Sequence, residues 1–266
     1  MTEYSQSKLN TVNRLRKREH DTDYLSGKYD FETIHGLVNQ SPVVHVAFAT
    51  DPSEPFPTIL PMIGQMGSFE DSSAGLDSPL DCYLHGYVSS RIMRLSQEAV
   101  ARGEDGLPVC VTATKVDGFV LALAPFHHSY NYRSAILHGY AQPVESEEEK
   151  AWAMELVTNS VVPQRWQNAR TPATKTEMKS TTILRVKIHA GSAKFRNGGA
   201  HDDRFDLKDE SVVNNVWSGV VPTWQVMGDP IPSSDNAVAK VPAYLKEFVE
   251  KENIRNKDIA VNAVKE

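Results

Sequence analysis

The sequence has few cysteines, no long apolar segment and no excess of positive charge. Its 266 residues include two cysteines, Cys82 and Cys110, which show neither a zinc spacing nor a disulfide framework. No apolar run approaches the roughly 18 residues that a transmembrane helix needs. The net charge of −6 and the isoelectric point near 5.9 argue against a nucleic-acid-binding surface. These absences predict a soluble, cytoplasmic protein whose partners are neither nucleic acids nor membranes.

Short strands dominate what is present. The β-branched and aromatic segments predict strands at residues 43–49, 58–63, 80–88, 108–116, 119–125, 135–144 and 181–188. Pro61 predicts an edge position or a bulge, Asp117-Gly118 predicts a hairpin turn, and residues 64–79 are expected to form a surface loop.

Helices are predicted to be few. Asp30 is a plausible N-cap for a helix over residues 31–39, and Ser146 to Glu149 have the pattern of a capping box. Two further helices are expected near 92–101 and 241–252. Because the first strands lack crossover helices between them, the sequence favours a small antiparallel β-barrel over a parallel sheet.

The most informative segment is Tyr83-Leu-His-Gly-Tyr-Val-Ser-Ser-Arg91. A strand ends near Gly86, and Ser89, Ser90 and Arg91 then open a helix. Helix N-termini present free N–H groups and a positive dipole end, and an arginine adds charge-assisted hydrogen bonds. This pattern suits a phosphate group. The alternative is an ordinary serine-capped helix with a surface arginine.

Three further motifs accompany this segment in order over residues 14–195. They are the basic lead-in Arg14 to Arg18 with Lys28-Tyr29-Asp30, the run Pro57-Thr-Ile-Leu-Pro61, and Tyr132-Arg-Ser-Ala-Ile-Leu-His-Gly-Tyr-Ala141. Together the four motifs resemble the FMN-binding split-barrel superfamily that includes pyridoxamine 5′-phosphate oxidase, and within it the nitroimidazole-resistance (Nim-like) branch. One departure is Val88-Ser-Ser90, where many relatives have a glycine before the basic residue.

The resemblance implies a mainly β fold with peripheral helices, a six- to seven-stranded antiparallel split β-barrel. It places the isoalloxazine ring of FMN beside Thr58, Ile59, Leu60 and Pro61, and the phosphate on Ser89, Ser90 and Arg91. It places Tyr132 and Ser134 near the cofactor or a partner subunit, in a homodimer with cofactor sites at the interface. An N-terminal arm (1–30), a split-barrel domain (31–197) and a C-terminal extension packing on the barrel (198–266) are expected.

Four other side chains are candidates for chemistry. His85 could face the flavin or substrate and donate a proton, or it could be a strand histidine bonded to the backbone. His127 and His128 could bind a substrate or a haem iron, or only be solvated. Trp217, in a tail resembling that of split-barrel relatives, could stack on a planar substrate or close the barrel mouth. No His, Asp or Glu spacing indicates a metal site, so none is predicted.

The expected function is an FMN-dependent oxidoreductase that acts on a small planar organic substrate, with NAD(P)H as electron donor. The alternative is a non-catalytic flavin- or haem-binding protein, a store or a sensor. A deazaflavin could use the same phosphate anchor. True pyridoxamine 5′-phosphate oxidase activity is less favoured, because the sequence lacks that enzyme's characteristic tail of arginine and histidine.

Overall fold

The computed structural model describes residues 2–4, 25–51 and 53–265. Within these ranges nine strands form one mainly antiparallel sheet, so the predicted fold class is confirmed. The strand order is β3-β2-β6-β7-β8-β5-β4, with β1 beside β8 and β9 beside β6. The strands are β1 (Leu25–Lys28), β2 (Val44–Phe48), β3 (Thr58–Met62), β4 (Gly64–Gly67), β5 (Asp81–Tyr87), β6 (Leu107–Leu121), β7 (Ser129–Pro143), β8 (Thr181–Arg196) and β9 (Gly219–Pro222).

Six α-helices accompany the sheet in the described part of the chain. The predicted N-caps are confirmed, since the side chains of Asp30 and Ser146 accept hydrogen bonds from Thr33 N and Glu149 N. The capping box at Ser146 is half formed, because the Glu149 carboxylate binds Tyr83 and Arg185 instead. The helices are α1 (Phe31–Asn39), α2 (Arg91–Ala101), α3 (Glu147–Val161), α4 (Lys175–Ser180), α5 (Glu210–Val213) and α6 (Ala243–Asn262).

The predicted hairpin at Asp117-Gly118 is wrong. Strand β6 runs through both residues, and Gly118 pairs with Pro222 of β9. The buried Asp117 carboxylate accepts two hydrogen bonds from Arg133, at 2.7 Å from Nε and 2.8 Å from Nη2. A buried bidentate ion pair in an extended strand has replaced the solvated turn that Asp-Gly usually indicates.

The predicted loop over residues 64–79 is wrong at its start, where β4 pairs with β5. Gly64 permits this pairing, since a Cβ there would lie 2.9 Å from both Leu84 Cδ2 and Val44 Cγ2. With β1 and β9, this strand raises the count above the predicted six or seven. The edge position of Pro61 is confirmed, because β3 is the end strand of the sheet order.

The chain divides into two compact units. The first contains Gly27–Thr114 and Ser134–Ala193 as its main segments, and the second contains Lys115–Arg133 and Lys194–Glu266. The expected division into an arm, a barrel domain and an extension stays a prediction. Within the described residues both cysteines are free thiols, and no helix has the length and apolar character needed to cross a membrane.

A buried histidine in α1 couples the stability of the first unit to pH. The ring of His35 is fully buried, its Nδ1 donates to the Leu76 carbonyl at 2.8 Å, and its Nε2 accepts from the Tyr4 hydroxyl at 2.8 Å. A carbonyl can only accept, so the ring is neutral with its proton on Nδ1. Burial lowers the pKa of His35 to about 4.

Protonation of His35 is expected to destabilise the folded state below neutral pH. In the unfolded chain the pKa returns to about 6.5, so the unfolded state binds the proton first and the free energy of unfolding falls between pH 6.5 and 4. We expect this residue to contribute about 3 kcal/mol to the loss. Urea unfolding of the wild type and of His35→Gln at several pH values tests it. Equal pH slopes in the two proteins would exclude His35 as the cause.

Candidate functional site

The candidate site begins where β5 passes into α2. Ser90 occupies the N-cap position with extended backbone angles (φ −64°, ψ 149°), yet its side chain makes no capping hydrogen bond. The first turn of α2 contains no acidic residue. The N–H groups of this turn therefore meet no capping hydroxyl or carboxylate at the positive end of the helix dipole, an arrangement that favours an anion.

Gly86 and two methionines pack beside the Ser90 hydroxyl. The Ser90 Oγ atom is buried and has no hydrogen-bond partner within the described residues. The space beside Gly86 is already filled, since a Cβ there would lie 2.6 Å from Met93 Cε, 3.6 Å from Met62 Cε and 4.0 Å from Ser90 Oγ. Buried hydroxyls are normally paired, so this one is available to a bound group.

Arg91 and Ser89 form the exposed side of the same turn. The Arg91 guanidinium donates one long hydrogen bond, 3.4 Å from Nη2 to the Thr50 carbonyl oxygen. The pKa of nearby Asp51 is lowered mainly by hydrogen bonds from Ser53 and to a lesser extent by Arg91. A long bond in solvent is easily exchanged, so Arg91 can turn toward an anion at the start of α2.

Strand β3 supplies the second element of the site. Its residues alternate, with Thr58 and Leu60 half-buried and Ile59 and Pro61 exposed. Met62, at its end, packs near Gly86, where a Cβ would lie 3.6 Å from Met62 Cε. Among the described residues β3 is an edge strand that pairs with β2, so one line of its backbone N–H and carbonyl groups faces no other described strand.

His85 precedes Gly86 on β5, and its side chain lies on the opposite face of the strand. Successive side chains on a strand alternate between faces, so His85 shares the face of Tyr83 while Gly86 lies on the face toward Ser90. The imidazole is half-buried, and burial lowers its pKa below the ordinary value. The ring is therefore neutral at neutral pH and retains one N–H donor.

The other predicted site residues lie farther along the chain. Ser134 is half-buried in the first unit. In the second unit, the Lys194 ammonium lies 5.8 Å from the Tyr132 ring centroid, and the Trp217 indole, 64% exposed, lies over Gly219. His128 is exposed, and its Nδ1 accepts a hydrogen bond from Ala122 N at 2.9 Å. The roles predicted for these four residues stay predictions.

The start of α2 offers hydrogen-bond donors that suit an oxyanion. The unpaired Ser90 hydroxyl, the uncapped turn and the exposed Arg91 are the donor set that a phosphate monoester requires. Met62, half-buried beside Gly86, supplies apolar surface next to this turn. The sequence predicted the donors and included Gly86 in their segment, but it gave no sign that Met62 and Met93 pack against that glycine.

The fold resembles a split barrel of the kind that binds flavins. Comparison with known proteins identifies the family. The family model for pyridoxamine 5′-phosphate oxidase matches residues 30–195, more than half of the chain, so the protein belongs to that family. No match was found among curated proteins.

Three solved structures illustrate the relationship. The flavocytochrome Anf3 from Azotobacter vinelandii is 24% identical, with a TM-score of 0.64 over 84% of this chain and 91% of that one. The FAD and heme binding protein from Mycobacterium smegmatis is 25% identical, with a TM-score of 0.66 over 84% and 97%. A Bacteroides thetaiotaomicron protein assigned to 5-nitroimidazole antibiotic resistance is 18% identical, with a TM-score of 0.46 over 64% and 86%.

Proposed function

We propose that the protein is an FMN-dependent oxidoreductase that takes electrons from NAD(P)H and reduces or oxidises a small planar organic molecule. The observation that carries the proposal is the uncapped start of α2, with the buried, unpaired Ser90 hydroxyl at its N-cap and the exposed Arg91 beside it. Family membership and the flavin-binding relative from Mycobacterium smegmatis support a flavin as the ligand. When bound, the flavin supplies the hydride and electron chemistry.

The residues of the chain would bind and orient this cofactor. Ser89, Ser90, Arg91 and the first-turn N–H groups of α2 would hold the phosphate. The free backbone edge of β3, over Thr58 to Pro61, would hydrogen-bond the polar edge of the ring system. A neutral His85 would donate its single N–H to a group on its own face of β5.

The phosphate assignment is tested by replacing Arg91 with alanine. Loss of one charge-assisted contact removes about 1.5–3 kcal/mol of binding, so Arg91→Ala is expected to weaken FMN affinity about tenfold to a hundredfold. Fluorescence titration of the cofactor-free protein with FMN measures this. Arg94→Ala, an exposed arginine one turn along the same helix, is the matched control. Equal affinities for Arg91→Ala and wild type would exclude the assignment.

One preparation of the protein can test the identity of the cofactor and the presence of activity separately. Heat release and chromatography distinguish FMN from FAD or a deazaflavin, which can share the same anchor. Anaerobic addition of NADH or NADPH then shows whether the flavin band bleaches. Bleaching supports an oxidoreductase, whereas a flavin that stays oxidised with both nicotinamides and all substrates tried indicates a store or sensor.

Haem binding is a second candidate function. It is favoured by the Mycobacterium smegmatis relative, whose name includes both FAD and heme. The alignment with this chain covers 97% of that relative's length. An iron ligand would be a neutral histidine, and His85, His127 and His128 are the candidates. An intense Soret band that is lost in one of the three single alanine variants would support it.

We also propose a cytoplasmic homodimer. Large apolar side chains are exposed in both units, among them Phe56 (79%) and Ile59 (59%) in the first and Phe126 (94%) and Ile231 (91%) in the second. Such surface is commonly covered by a partner chain. Light scattering after gel filtration tests the dimer, and a monomeric mass at micromolar concentration would contradict it. The cytoplasmic location stays a prediction.

A further inference from the structure

Three side chains of types that ligate metal ions meet in the second unit. His127 ends a short 3-10 turn, Pro125–His127, between β6 and β7. Asp203 and Asp206 lie in the segment that follows β8. One ring nitrogen of His127 and one oxygen of each carboxylate lie within 4.8 Å of one another, and Nε2 of His127 is 3.8 Å from Oδ2 of Asp203.

Two atoms of this cluster lack the partners that buried polar atoms need. Nδ1 of His127 and Oδ2 of Asp206 are both buried without a hydrogen-bond partner in the described residues. An unpaired buried donor or acceptor costs about 1–3 kcal/mol. The two neighbouring carboxylates also repel each other unless a positive charge lies between them. A cation held by these side chains would relieve the carboxylate repulsion and would pair each of the two unpaired atoms that ligates it, since an imidazole ligates one ion through only one of its nitrogens.

The surrounding backbone holds the three ligands in place. The Asp202 carboxylate accepts a 2.7 Å hydrogen bond from Leu123 N, which fastens the acidic segment to the end of β6. Leu207 N donates to the Asp203 carbonyl at 3.1 Å, and His127 N donates to the Ala124 carbonyl at 3.2 Å. The backbone of the two turns that carry the ligands is therefore held by hydrogen bonds.

We propose that His127, Asp203 and Asp206 bind one divalent transition-metal ion of the zinc class. Imidazole nitrogen and carboxylate oxygen both ligate such an ion, whereas Mg²⁺ and Ca²⁺ prefer oxygen ligands alone. Bonds of about 2.0–2.2 Å would draw the ligand atoms about an ångström closer together, which the half-exposed Asp203 side chain permits. Three protein ligands leave a fourth position for water.

The metal site is independent of the proposed flavin function. It joins the turn after β6 to the segment after β8, so its direct consequence is to fasten that segment. Binding to the folded state alone stabilises it by mass action. His127 and Asp203 are far apart in the chain, so the sequence contains no local metal-binding motif. For this reason no metal site was predicted.

Calorimetric titration of tag-free, chelator-dialysed protein with ZnCl₂ tests the proposal. We expect about one strongly bound ion per chain and a rise in melting temperature at saturation. His127→Ala and Asp206→Asn should each weaken binding by at least about tenfold, since a lost ligand costs more than a lost outer-shell partner. His45→Gln and Asp229→Asn, at exposed positions, are controls that should bind like wild type.

The variants also separate the possible outcomes. Asp206→Asn keeps the shape of the side chain, so it remains informative if His127→Ala does not fold. The proposal is overturned if wild type takes up no Zn²⁺, in which case the cluster is an ion pair only. It is equally overturned if both variants bind Zn²⁺ with wild-type affinity. The titration reads metal binding directly, so its outcome does not depend on flavin content or turnover.

Discussion

Replacing Gly139 with valine is expected to destabilise the protein by more than about 3 kcal/mol. Gly139 is buried in β7, and a Cβ there would collide with the backbone carbonyl oxygen of Lys187 on the neighbouring strand β8. It would also lie 2.8 Å from Val186 Cγ1. A backbone atom held in a sheet ladder cannot move aside as a flexible side chain can, so the two strands would have to separate.

Urea unfolding of Gly139→Val and of Gly139→Ala measures this effect. The alanine variant should lose less stability than the valine variant but still more than about 1 kcal/mol. The reason is that the Cβ alone collides with the Lys187 carbonyl oxygen. Gly228→Ala is the matched control, since a Cβ at that position meets no atom within 4 Å. A wild-type transition midpoint for Gly139→Val would show that β7 and β8 are not held this closely.

Gly139 also explains part of the sequence motif that indicated the family. It is the glycine of Tyr132-Arg-Ser-Ala-Ile-Leu-His-Gly-Tyr-Ala141, in which the resemblance places Tyr132 and Ser134 near the cofactor or a partner subunit. In the structure, this glycine allows two strands to approach each other. Motif positions in this chain therefore mix residues required by the fold with residues available to a ligand, and only side-chain geometry separates them.

Features determined by neighbouring residues could be predicted from the sequence. The Asp30 cap, the bounds of α1 and the succession of β5, serines and α2 depend on residues a few positions apart, and the structure contains them. Asp117-Gly118 misled the prediction because a distant residue, Arg133, supplies the partner that keeps Asp117 inside a strand. Local turn preference is weaker than a buried bidentate ion pair.

The candidate site also combines features set by neighbouring residues with features set by residues distant in the chain. Ser89, Ser90 and Arg91 are contiguous and could be recognised as an anion-binding turn. The approach of Met62 to Gly86 depends on how the sheet is ordered, so no local signal reveals it. The cluster of His127, Asp203 and Asp206 is still less accessible, because two turns far apart in sequence must meet before it exists.

A second large effect is expected at Glu149, which connects α3 to two strands. Its Oε1 accepts hydrogen bonds from the Tyr83 hydroxyl of β5 at 2.9 Å and from Arg185 Nη1 of β8 at 3.1 Å. Burial, and then the bond to Glu149, raises the pKa of Tyr83, so its hydroxyl stays a donor. Glu149→Ala would leave both donors without this acceptor, at a cost of about 3 kcal/mol.

Arg185 retains other partners, which limits this loss. It lies 3.2 Å from Glu70 and 3.8 Å from Asp81, and both of these carboxylates are more exposed than Glu149. Urea unfolding of Glu149→Ala, Tyr83→Phe and the double variant measures how strongly Glu149 and Tyr83 are coupled. We expect a coupling free energy of about 1–2 kcal/mol. Glu147→Ala, exposed on the same helical turn, should change stability by less than about 1 kcal/mol.

The result at Glu149 also bears on the anion site, because β5 continues from Tyr83 through Gly86 toward Ser90. If Glu149 fixes the position of β5, Glu149→Ala should weaken FMN binding even at temperatures where the variant remains folded, whereas Glu147→Ala should not. Strong destabilisation with unchanged FMN affinity would mean that the start of α2 is positioned by its own packing on Met62 and Gly86. A loss of stability below about 1 kcal/mol would contradict the buried connection itself.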